Sequence, residues 1–172
     1  MTQVKSGLTR VSQEPMKKSS AARIEIETLP GHYIRRLQQI AVAIFLQEAE
    51  ATGVTPVQYA ALQTVSNSPG TDQRTLARAI GFDTSTTAGV IDRLEARGLL
   101  QRSASPDDRR VRLLALTNEG QALLDAVIPG MQRAQARMLE PLPKPERAEF
   151  MRMLRVLVKA NNELSRAPRE GG

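Results

Sequence analysis

The chain has no cysteine and no tryptophan, and aromatic residues make up only 3% of its 172 positions. Without cysteine there is no disulfide, no thiolate nucleophile, no thiol redox sensor and no Cys-ligated zinc. The single histidine, His32, excludes a multi-histidine metal centre. No apolar run approaches the ~18 residues that a membrane-crossing helix needs, and the first residues lack the apolar stretch of a secretory signal. From these absences we expect a cytoplasmic, soluble protein with no metal, no cofactor and no membrane partner. Its core should be aliphatic and mainly helical.

Catalytic chemistry is equally sparse. The chain offers no nucleophile–base pair, no phosphate-cradling glycine loop and no metal-ligand spacing. Asp107 and Asp108 are neighbours in one loop and cannot face each other across a cleft as general acid and base. An enzyme is not expected.

What is present begins with charge. The formal net charge is +6, which suits a polyanionic partner, either nucleic acid or an anionic membrane surface. Hydrophobic residues make up 41%, enough for the core of one domain or two small ones.

Residues 1–28 are polar and aperiodic and carry Lys5, Arg10, Lys17, Lys18 and Arg23, so they are expected to form a disordered basic arm. From Pro30 the apolar residues Ile34, Leu37, Ala41, Ile44 and Phe45 recur at helical spacing, and the helix should stop at Gly53. Thr55 and Pro56 start a second helix as N-cap and first residue, and "NSPG" at 67–70 stops it. Two short helices follow, about 72–80 and 84–97, joined through Gly81 with Asp83 as a cap. Two short helices around a glycine turn suggest a helix-turn-helix. Gly98 ends the second. Residues 99–104 and 111–116 then read as two strands of a hairpin whose tip is "SPDDRR". A long helix starts at Thr117 and Gly120 and should kink at Pro129. After the proline-rich 140–146, a last helix is expected over about 145–164, with a flexible tail over 166–172. The terminal helices have apolar faces with little local material to cover them, which points to a homodimer.

A helix-turn-helix lays its second helix in the DNA major groove with its first residues at base edges. Those residues here are Thr84, Ser85, Thr86 and Thr87. Gly89 would allow a close approach, and Arg93 one turn on can reach a phosphate or a guanine. A run of Ser and Thr also caps helices for purely local reasons. Gln73 and Arg74, at the start of the first helix, join the same expected surface. At the hairpin tip, Arg109 and Arg110 can enter a minor groove, with Asp107 or Asp108 holding an arginine in a charge-assisted fork. Arg97, Arg102 and Arg112 add to the basic cluster.

The segments "DRRVRLLALTNEG" (108–120) and "VIDRLEARGLLQR" (90–102) carry a resemblance. They are similar to the wing and the recognition-helix end of the MarR family of bacterial winged-helix regulators. The family's Asp-x-Arg, Leu-Thr-x-x-Gly pattern falls on Asp108, Arg110, Leu116, Thr117 and Gly120. The resemblance spans about Pro30 to Leu164. It implies a mainly α fold with a small β-hairpin, in which a winged helix-turn-helix over 55–116 lies between dimerisation helices at 29–54 and 117–165. It also implies a homodimer on a palindromic operator in double-stranded DNA, and in many members a repressor released by a small aromatic acid. "LPGHYIRRLQQIAVAIF" with "VTPVQYAAL" looks like the subgroup that includes repressors of nicotinate catabolism, which would make the effector a hydroxypyridine carboxylate. An anionic aromatic ligand needs a cation and a flat wall. His32 and Arg36, one turn apart on one helix face, with Gln39 and Tyr59, are the expected effector residues. The competing expectation is an architectural protein that binds DNA without sequence preference.

Overall fold

The computed structural model describes residues 25–165 and 167. The basic arm therefore lies outside the described residues up to position 24, and the tail does so apart from Ala167. Six helices and three strands follow in order: α1 (Pro30–Glu48), α2 (Pro56–Asn67), β1 (Thr71–Asp72), α3 (Gln73–Ile80), α4 (Thr84–Ala96), β2 (Leu100–Ala104), β3 (Arg112–Leu116), α5 (Asn118–Leu139) and α6 (Lys144–Asn161). Short 3-10 turns stand at Ile26–Thr28, Glu50–Thr52 and Asn162–Leu164.

Most boundaries have an identifiable local cause. Thr55 builds a capping box with Gln58, its hydroxyl accepting from the Gln58 N–H while the Gln58 side-chain oxygen Oε1 accepts from the Thr55 N–H. Thr117 Oγ1 accepts from the Gly120 N–H at 3.0 Å and donates to the Gly98 carbonyl at 2.6 Å, so one hydroxyl both starts α5 and ties it to the end of α4. The turn between α3 and α4 needs Gly81, whose φ of +74° is costly for any residue with a Cβ.

The hairpin is one strand larger than expected. β3 is central, paired antiparallel with β2 from Leu100↔Leu116 to Ala104↔Arg112, and on its other edge with β1 through Thr71↔Leu114. β1 takes Asp72 out of the helix expected over 72–80, and that residue instead caps α3. The last helix also stops earlier than expected, at Asn161.

Two layers of helix enclose a core of Leu62, Val65, Leu76, Val90, Ile91, Leu94, Leu100, Leu114, Leu124 and Val127. α1 adds Phe45, and the residue that caps its end, Ala49, joins it. α5 runs through Pro129 as one helix of 22 residues. Beside that proline, Gly130 lies so close to the end of α1 that an added Cβ would collide with the Glu48 carbonyl. An ion cluster fastens the same crossing: Arg133 Nε donates to Glu48 Oε2 at 2.8 Å, and Arg137 Nη1 to Oε1 at 3.3 Å. The Arg133 hydrogen bond, ahead of partial desolvation, holds the Glu48 carboxyl below the usual range. At the other end of the lobe, a Cβ on Gly120 would collide with the Leu99 carbonyl.

α6 differs from every other α-helix: none of its residues is buried. Met153, Val156, Leu157 and Val158 are exposed on it, as are Tyr33, Ile34, Ile40 and Leu46 on α1. A cavity of about 600 Å³ opens between the two helices, lined by Tyr33, Ile34, Leu37, Phe150, Leu154 and Leu157 among others. Among the described residues, no helix is long and apolar enough to cross a membrane.

Candidate nucleic-acid interface

Two aspartates set the helix-turn-helix. Asp72 Oδ1 accepts from the N–H groups of Arg74 (2.8 Å) and Thr75 (2.9 Å), and Oδ2 accepts from the Thr75 hydroxyl. Partial burial pushes this carboxyl up, but the bonds from Thr75 and Arg74 outweigh it and leave the pKa lowered. Asp83 repeats the arrangement on α4, accepting from the Thr86 N–H at 2.7 Å and the Thr86 hydroxyl at 2.8 Å. Those bonds lower its pKa too. Both helices thus begin on a cap that satisfies their free N–H groups.

These caps sort the hydroxyls of the "TSTT" run. Thr84 and Ser85 are exposed at the start of α4. Thr86 is exposed, but its hydroxyl is committed to Asp83. Thr87 departs from the expectation. It is fully buried and its hydroxyl donates to the Asp83 carbonyl at 2.9 Å, so its side chain belongs to the core and not to a DNA surface. Its position three residues into α4, facing Val90 and Ile91 by helical period, is the sequence signal for this.

Gln73 is also engaged: its Nε2 donates to the Thr84 carbonyl at 3.1 Å, a bond from the first residue of α3 to the first of α4. Gly89 has open space, since an added Cβ would meet only the Arg93 guanidinium, at 3.7 Å. Arg93 lies exposed on this face.

The wing tip is braced by hydrogen bonds, but not in the way anticipated. Asp108 Oδ1 accepts from the backbone N–H of Arg110 at 2.9 Å, and the Asp108 carbonyl accepts from the Val111 N–H. Ser105, largely buried, accepts from the Asp107 N–H through its hydroxyl. The Asp108 carboxylate and the Ser105 hydroxyl therefore brace the backbone of the turn, and Asp108 does not fork onto a guanidinium, because a short side chain in a tight turn finds its own backbone first. This leaves Arg109 and Arg110 exposed at the tip. Arg110 also borders a cleft of about 410 Å³ together with Gln73, Arg74 and Arg112, so the wing and the start of α3 share one basic hollow. Arg112 was not singled out in the sequence beyond its place in the basic cluster; its alignment with Arg74 depends on β1, which no local pattern announces.

The four expected effector residues do not meet in one cavity. Arg36 borders the α1–α6 cavity. His32 stacks edge-on against Tyr33 at 5.6 Å with Nδ1 buried and unpartnered. Gln39 accepts from Arg35. Tyr59 packs on Phe45 at 5.9 Å and donates to Gln63, its phenol pKa raised by burial. Phe45 is nine residues beyond Arg36, roughly 13 Å along α1.

A capped helix-turn-helix followed by a sheet with a basic tip defines a winged-helix DNA-binding protein. The chain belongs to the MarR family, whose model matches residues 54–111, and it is a transcriptional regulator of that type rather than an enzyme. The HTH-type transcriptional repressor NicR of Pseudomonas putida is 34% identical over 131 residues, covering 76% of this chain and 83% of NicR. The PcaV transcriptional regulator of Streptomyces coelicolor, solved with its natural ligand, matches with a TM-score of 0.76 at 37% identity, over 81% of this chain and 98% of its own. BpsR of Bordetella bronchiseptica, whose DNA binding is regulated by 6-hydroxynicotinic acid, matches with a TM-score of 0.75 at 31% identity, over 79% of this chain and 97% of its own.

Proposed function

We propose that the protein is a homodimeric repressor that reads a palindromic operator and is released by a small aromatic acid of the hydroxypyridine carboxylate class. The observation that carries the DNA-binding part is that Thr84, Ser85 and Arg93 of α4 are exposed while Arg74, Arg110 and Arg112 line one basic hollow. The hydroxyls and Arg93 supply base-edge contacts, and the hollow holds phosphates on either side. Arg109 and Arg110 at the braced tip enter the neighbouring minor groove. The unburied apolar faces of α1 and α6 support the dimer, which sets two recognition helices about one DNA turn apart. The similarity to NicR and BpsR supports the effector class.

Release requires that the acid bind the DNA-free conformation better than the DNA-bound one. Arg36, beside an apolar cavity, is the cation offered to the carboxylate. Working on DNA places the protein in the cytoplasm.

The test is a fluorescence titration with duplex DNA from upstream of the gene and a scrambled duplex of equal composition, at near-physiological salt. Preference of about 1000-fold or more, lost on adding 6-hydroxynicotinate, is the expected result. Equal binding to both duplexes overturns the repressor reading in favour of an architectural protein. Arg36→Ala should keep operator binding and lose the response to the acid; an unchanged response removes Arg36 from the effector site.

A further inference from the structure

Arg102 stands apart from the other arginines of the basic face. It lies on β2, on the same side of the strand as Leu100, which is buried in the core. Period two therefore turns its side chain inward, onto α4. There one guanidinium holds two carboxylates: Nη1 donates to Glu95 Oε2 at 2.8 Å, and Nη2 donates to Asp92 Oδ1. The guanidinium is the best covered group of the three, its side chain 25% exposed against 63% for Asp92 and 39% for Glu95.

Asp92 and Glu95 flank Arg93 on the helix proposed to enter the major groove. Two carboxylates there oppose a polyanion, and Arg93 alone cannot offset them. Arg102 supplies the missing charge from behind. Its planar fork also fixes the wing strand against the recognition helix at two points one turn apart. Because it is spent on these partners, it is not available to a phosphate as Arg110 and Arg112 are.

We propose that Arg102 is a positioning residue for DNA recognition: it masks the Asp92–Glu95 pair and couples the wing to α4, and does not itself touch DNA. This rests on the reading of α4 and the wing as the DNA-binding face. It assigns this wing–helix contact to affinity for DNA, not to stability.

The experiment uses the full-length protein and duplexes selected by the wild type from a random pool. Four proteins are titrated: wild type, Arg102→Ala, the double variant Asp92→Asn/Glu95→Gln, and the triple variant that combines all three changes. Arg102→Ala should weaken binding by about tenfold or more, because two unmasked carboxylates then face the phosphates. The triple variant should return to within about threefold of wild type, with an unchanged slope of log K against log salt. A triple variant as weak as Arg102→Ala, with a slope smaller by about 0.9, identifies a direct phosphate contact and overturns the proposal. The double variant, which keeps the Arg102 charge and loses both carboxylates, should bind at least as tightly as wild type with an unchanged slope; a slope larger by about 0.9 means that a freed Arg102 reaches a phosphate and overturns the proposal. Wild-type affinity in Arg102→Ala overturns it as well. Arg102→Lys, which keeps the stem and loses the fork, is the second variant; it should fall between wild type and Arg102→Ala, and circular dichroism at the titration temperature confirms that each protein is folded. If selection returns no enriched duplex, the DNA-binding reading itself fails. If it succeeds while Arg102→Ala is silent, only the role of Arg102 falls.

Discussion

The winged-helix lobe and the α1–α6 pair are built from the same aliphatic residues and end in opposite states. In the lobe, Leu62, Leu76, Ile91, Leu94 and Leu114 are at most 1% exposed. On α6, Leu157 is 54% and Val158 66% exposed, although the helix has a clear apolar stripe. The lobe closes because short helices and a three-stranded sheet cover one another, with Leu124 and Val127 of α5 and Phe45 of α1 completing the core. The α1–α6 pair is two long rods, and a rod cannot cover its own face. One chain thus contains a finished unit and an unfinished one, and the proposed dimer is what finishes the second.

The largest blow to this contrast is a cavity in the lobe. Leu94→Ala should cost about 2–5 kcal/mol of stability, read as a lower midpoint in urea with both DNA binding and the near-native signal lost together. Leu157→Asp, a harsher chemical change on α6, should shift the intrinsic stability of the lobe by less than about 0.5 kcal/mol. It should instead turn a sedimenting dimer into a monomer and abolish the dependence of Tm on protein concentration. A Leu157→Asp protein that remains dimeric breaks the comparison.

Acid provides a third lever. Asp72 and Asp83 have lowered pKa values in the folded lobe, so the stability they contribute is present above the unfolded carboxylate pKa and is lost as pH falls through the folded values. Urea midpoints should therefore be flat above about pH 5 and fall below about pH 4. Asp72→Asn and Asp83→Asn together should flatten that acid limb. The smallest effect is also the most discriminating. Gly89→Ala meets no steric obstacle in the free protein and should add about 0.5–1 kcal/mol of helix stability. It should nonetheless weaken operator binding if α4 lies in the groove, because the new methyl occupies space needed by DNA. A variant both more stable and equally tight on DNA removes Gly89 from the interface.

Much of the lobe was legible in the chain because its boundaries are local. Thr55–Pro56, Asp83, Gly81, Gly98 and Thr117 each act on neighbours within a few residues, and each does what its type suggests. β1 was not legible: two residues have no period, and Thr71–Asp72 becomes a strand only because Leu113 and Leu114 arrive from forty residues away. Pro129 falls inside the long helix as expected, and α5 runs through it as one element. Within the site, the type of residue foretold charge but not commitment. Arg102, Arg109 and Arg110 look alike in sequence, yet Arg102 is spent on two carboxylates while the tip pair is exposed. Asp108 was expected on a guanidinium and instead braces a turn. Thr87 was expected at DNA and is buried, its hydroxyl donating back to the Asp83 carbonyl. Whether a polar side chain is available depends on what folds against it, and that information lies outside its own segment.

The two glycines of α5 have a mechanical consequence. Gly120 touches the end of α4 through Leu99, and Gly130 touches the end of α1 through Glu48. The ten residue steps from one to the other make an arm of roughly 15 Å. Neither joint has a methyl group to act as a cushion, so backbone meets backbone at both ends. A tilt of about 6° at the Gly130 fulcrum carries the other end through roughly 1.5 Å for an arm of that length. Because both contacts are backbone on backbone, little of such a displacement would be lost before the residues that follow α4.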